Sequence, residues 1–198
     1  MKKDFFQTKA SASAFLTALT AFAYAYYFIV AKNTMLSSLF LMLSGLFALP
    51  VMIILFMKLR KIDDGIATLA LILGIVGVTG TVLHGGYDLA NSINPPALVN
   101  ADLPSQIDPR GLLAFGITGL AILKFSWLMG KDKSLPKNLA NLGYLSGVLL
   151  LVIYLARLTV LSPTNPVLLY PVLLEGFIVN PVWYLWLASE LKNSSKSS

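Results

Sequence analysis

The chain has no cysteine and a single histidine, and only 12% of its 198 residues are charged. Each scarcity removes a class of chemistry. Without thiols there are neither disulfides nor thiolate metal sites. One histidine cannot build a histidine-rich zinc site or hold a haem between two imidazoles. A serine–histidine hydrolase would have to use His84, and no GxSxG flags a nucleophile. The P-loop, the dinucleotide glycine fingerprint and HExxH are also missing. No cofactor is therefore assigned.

What fills the chain instead is apolar. Hydrophobic residues make up 57%, and the mean hydropathy is +0.76. A soluble domain is about a quarter charged, so this composition is that of a polytopic membrane protein. The net charge of +6 and the pI near 9.5 do not indicate nucleic acid, because the basic residues follow membrane topology.

Six apolar runs approach the roughly 20 residues a bilayer requires. They cover about 13–31, 35–57, 66–90, 111–130, 139–161 and 166–188. Lipid offers no hydrogen bonds to the backbone, so the spans are expected to be helices. The reading is one all-α transmembrane domain over residues 1–198, with an outer cap loop at 91–110 rich in proline. Lys2, Lys3, Lys9 and the "AYA" at Ala23–Ala25 resemble a signal peptide. The apolar run continues through "YYFIVA", which favours an uncleaved first helix.

Lysine and arginine give the orientation. Lys2, Lys3, Lys9, Lys58, Arg60, Lys61, Lys131, Lys133, Lys137, Lys192 and Lys196 fall on one side, against Lys32 and Arg110 on the other. Eleven against two places both termini in the cytoplasm of a bacterial or archaeal plasma membrane. Trp127, Trp183 and Trp186 then fall near the cytoplasmic interface, as belt residues. Tyr24, Tyr26, Tyr27, Tyr87, Tyr154 and Tyr170 fall in the outer half, as a belt or as the lining of a polar cavity. Gly74, Gly77 and Gly80, and the Gly143–Gly147 pair, mark the third and fifth helices as interior.

Four ionisable residues share the outer half of the spans: His84, Asp88, Arg157 and Glu175. Charges in a span face the interior and find partners. The simplest pairing joins Arg157 to Asp88 or to Glu175. His84 and Asp88 lie four residues apart, on one helical face, and "HGGYD" would form one wall of an outward-facing polar pocket. In the sixth span Pro171 and Pro181 flank Glu175, Gly176 and Asn180, as in interrupted transporter helices. The candidate ligand-binding residues are His84, Tyr87, Asp88, Arg157, Glu175 and Asn180. An ion-pair network that only pins helices is the alternative.

The closing "GFIVNPVWYLWLASEL" and the six-span layout resemble uncharacterised bacterial six-helix integral membrane proteins. The resemblance implies six helices and carries no activity or catalytic residue. The expected partners are the lipid bilayer, a small ligand and other membrane subunits. The leading expectation is a protein that binds or translocates a small ligand. A structural subunit of a larger membrane complex is the alternative, and an intramembrane enzyme using Glu175 or Asp88 comes third.

Overall fold

The computed structural model describes residues 2–95, 107–160, 162 and 164–196, with side chains described from residue 8 to residue 193. Most of the expected cap loop, residues 96–106, lies outside the described residues. The helices are α1 (Lys2–Ala25), α2 (Thr34–Leu59), α3 (Asp64–Ile93), α4 (Thr118–Lys131), α5 (Lys137–Thr159), α6 (Pro166–Leu174) and α7 (Asn180–Lys196). Three π-helical turns extend or join them: Tyr26–Val30 after α1, Leu112–Ile117 before α4, and Glu175–Val179 between α6 and α7. There is no strand among the described residues. Six helical stretches are long and apolar enough to cross a membrane.

Local sequence sets the helix ends. Asn33, Asp63 and Asn165 accept hydrogen bonds from the backbone N–H of Leu36, Ile66 and Val167. Each satisfies a donor the first helical turn leaves free. Pro181 cannot donate, and Asn180 N–H reaches back five residues to the Glu175 carbonyl. The proline-flanked stretch of the sixth span is therefore a widened π-turn that carries the helix on.

Neighbours in sequence pack side by side, from α1 to α2, α3, α4 and α5. α7 returns to α1 and closes the ring. Ser11 ties that closure, donating to the Ala188 carbonyl at 2.7 Å. Small residues bring the helices together. Gly119 and Gly147 put α4 and α5 in near backbone contact, and a Cβ on either would lie 2.9 Å from the other's carbonyl oxygen. On α3, Gly74 faces Met52, Gly77 faces Thr118 and Gly80 faces Leu113, so α3 sits between α2 and α4.

A Cβ at Gly77 would meet Thr118 Oγ1 and lie 2.8 Å from its backbone nitrogen. Gly77→Ala is expected to destabilise by about 1–3 kcal/mol through overpacking. At Gly65 the nearest atom to a Cβ is an Asp63 carboxylate oxygen at 3.6 Å. Gly65→Ala is expected to be neutral or to add up to about 1 kcal/mol from helix entropy. Unfolding of both variants in detergent checks the contrast.

The two ends of the ring differ. The end carrying Lys61, Lys131 and Lys137 is packed solid around Leu55, Leu59, Phe125, Met129, Leu139 and Leu191. Trp183 belongs to this core at 0% exposure. This corrects the expectation of an interfacial belt residue, because helix rotation turns it inward. Trp127 and Trp186 remain partly exposed, against Lys131 and Glu190 respectively. Toward the other end, the end of Arg110, the centre opens.

Candidate functional site: a cavity at the Arg110 end

The opening is a cavity of ≈ 630 Å³. That is the size range of small-ligand sites, about 300–1,000 Å³. Lys32, Arg110, Val160 and Thr164, from the connections between helices, line its outer end. Apolar side chains from several helices, including Leu41, Val78, Leu150 and Ile153, form the waist. Thr17, Glu175, Asn180 and Tyr184 lie toward the inner end. All three π-helical turns contribute to the wall, through Phe28, Phe115, Glu175 and Gly176 among others. Such turns are uncommon and concentrate at functional sites.

Three cations border the cavity: Lys32, Arg110 and Arg157. None pairs with a carboxylate among the described residues. Arg157 is half-buried and its guanidinium lies over the Phe115 ring, 5.3 Å from the centroid. The expected pairing of Arg157 with Asp88 or Glu175 is not formed. The π-turn Leu112–Ile117 lies between α3 and α5 and separates Arg157 from Asp88. Glu175 bonds to Ser146, which is eleven residues before Arg157 on α5, or about 16 Å along the axis. Lys32 and Arg110 adopt positive φ, 50° and 60°. Non-glycine residues rarely hold this conformation, which costs about 1–3 kcal/mol each and clusters at ligand clamps.

The structure divides the six candidate residues into two groups. Arg157, Glu175 and Asn180 line the cavity. His84, Tyr87 and Asp88 lie on α3 outside its lining. His84 is buried, with Nδ1 3.2 Å from Asp108 and Nε2 3.3 Å from Asp88. Only the charged imidazole donates from both nitrogens. Tyr87 is half-buried.

Asp108 explains the placing of His84. It is fully buried and accepts from the N–H groups of Leu113 at 2.8 Å and Ala114 at 3.1 Å. Its carbonyl accepts from Gly111 N–H at 2.9 Å, closing the turn Pro109–Gly111. Burial opposes the Asp108 charge, but the hydrogen bond from His84 and the two backbone donors outweigh it. Together they hold this carboxyl below the usual carboxylate range. The turn so fixed carries Arg110 at the cavity mouth. His84 thus helps position the rim by anchoring its turn. The Asp-Pro-Arg-Gly turn signal marks this site in the sequence, inside a stretch expected to be an irregular cap.

At the inner end Glu175 is 4% exposed. Its Oε1 accepts from Ser146 Oγ at 2.6 Å and from Asn180 Nδ2 at 3.3 Å. Glu175 Oε2 and Asn180 Oδ1 are buried and have no hydrogen-bond partner among the described residues. Among the described residues no three histidine, cysteine or acidic side chains gather as a metal site. No family model, characterised relative or solved structure matches the chain.

Proposed function

We propose that the protein is a multi-pass integral membrane protein, with both termini in the cytoplasm, that binds or translocates a small ligand bearing an anionic group. The basic residues gathered at the Lys61 end support this orientation, which turns the cavity mouth outward. The observation that carries the reading is the rim. Three cations with no carboxylate partner among the described residues border one apolar cavity, two of them on left-handed backbone. Of the three, Arg157 lies within a span, where a charge without a partner costs about 2.5–3.5 kcal/mol, whereas Lys32 is exposed and Arg110 is half-buried in a turn at a span's end. An anion arriving from outside supplies the missing partner, and the apolar waist takes its hydrophobic body.

The test uses two amphiphiles of one chain length, dodecanoate and dodecanol, with the full chain in lipid nanodiscs. Dodecanoate is expected to stabilise the fold by about 2.7 kcal/mol at a hundredfold excess over its dissociation constant. Dodecanol partitions into the same lipid and is expected to give much less. Equal effects of the two would refute recognition of the anion.

A further inference from the structure

The rim leaves the other end of the cavity unexplained. A carboxylate is buried there on an apolar wall, with one oxygen satisfied twice and the other not at all. The neighbouring amide also keeps its oxygen free. Two buried acceptors without donors are unusual, because an unmet buried polar group costs about 1–3 kcal/mol and more when charged. Both residues line the cavity.

We infer that Glu175 and Asn180 form a subsite for an ammonium group, so that the ligand of this cavity is a linear zwitterion with its anionic end at the rim. The inference rests on the reading of the cavity as a ligand site.

Four considerations select this chemistry. An anion at the inner end would face the Glu175 carboxylate. A neutral hydroxyl carries a single donor and would satisfy only one of the two acceptors. A bare metal ion would find few donors, and a space of ≈ 630 Å³ with apolar walls needs an apolar body to fill it. An ammonium brings up to three N–H donors and a positive charge, enough donors for both free oxygens. A simple amine would be opposed by Lys32, Arg110 and Arg157 at the mouth. An anionic group at its far end removes that opposition. The two charged regions lie about 16 Å apart along α5, from the level of Ser146 to that of Arg157, so the body between them is a chain rather than a compact ring.

The test compares 12-aminododecanoate with dodecanoate on the full chain in nanodiscs, by equilibrium binding. The amino compound is expected to bind the wild type about tenfold to a hundredfold more tightly, as a charge-assisted bond gives. Glu175→Gln, which keeps shape and volume, is expected to abolish that advantage, so that the two compounds bind the variant with similar affinity. Asn180→Ala, which leaves the carboxylate in place, is expected to reduce the advantage several-fold. If the two compounds bind the wild type equally, the ammonium subsite is refuted while the rim reading survives. If the advantage persists in folded Glu175→Gln, the subsite is refuted as well. If neither compound binds, the cavity reading falls and this inference falls with it. The wild-type comparison decides the matter even if a variant does not fold.

Discussion

Asp108→Ala is expected to destabilise the protein by about 3–5 kcal/mol, the cost of breaking a buried charged pair from one side. The replaced carboxylate holds three groups at once: His84 Nδ1 and the N–H groups of Leu113 and Ala114. Removing it leaves buried donors unmet and frees the Pro109–Gly111 turn. Asp108→Asn keeps one acceptor oxygen and is expected to lose less. Acid titration adds a check with a definite sign. The folded-state carboxyl of Asp108 sits below its usual range, so its contribution is complete above the unfolded value near 3.9. The contribution is lost as pH falls through the folded value. The gap in stability between wild type and Asp108→Asn is therefore expected to shrink as pH falls below about 4. A gap that stays constant down to about pH 2 would show that Asp108 is not the group involved.

Arg157→Leu is expected to separate stability from binding. Read from the sequence as a member of an ion pair, this residue would cost about 3–5 kcal/mol when removed. It has no carboxylate partner among the described residues and lies against Phe115, half-buried at the cavity wall. Its loss is therefore expected to change unfolding by no more than about 1 kcal/mol, the usual range for a residue outside the core networks. Dodecanoate affinity is expected to fall about tenfold or more, the worth of one hydrogen bond to a charged group. A large loss of stability with unchanged binding would return Arg157 to a structural role.

The difference between the two expectations for Arg157 shows which features a single sequence carries. Hydropathy is a property of each segment alone, so it found the six long apolar helices, to within a few residues for α2, α4 and α5. It understated α3, which runs from Asp64 to Ile93, because Asp88, Asn91 and Ser92 lower the apolar signal at its end. Glycine spacing marked the close approaches of α3 to α2 and α4 and of α5 to α4, since small residues matter only where a neighbour is close, but α3 is one member of the ring and not an interior helix. Partner choice is different, because it depends on the order of helices around the ring and on their rotation. Periodicity gives neither here, where the spans are apolar on most sides. Asp88, Arg157 and Glu175 share a half of the bundle by depth, yet a π-turn and about three helical turns of α5 keep them apart. Trp183 was misplaced for the same reason, its depth being readable and its direction not. Lys32 and Arg110 entered the sequence only as counts on one side of a membrane. Their meaning came from convergence on one cavity.

Access to that cavity is the central claim, and one accessibility measurement tests it. The chain has no cysteine, so Ala21→Cys places a single thiol on the cavity wall. The reagent is an anionic, membrane-impermeant thiosulfonate, applied to intact cells and then to inverted membrane vesicles. Reaction is predicted in intact cells alone, where the mouth faces the reagent and the rim cations attract it. Dodecanoate added beforehand is predicted to slow the reaction by occupying the cavity. Reaction only in inverted vesicles, or a rate in intact cells that dodecanoate leaves unchanged, would contradict an outward-facing ligand cavity.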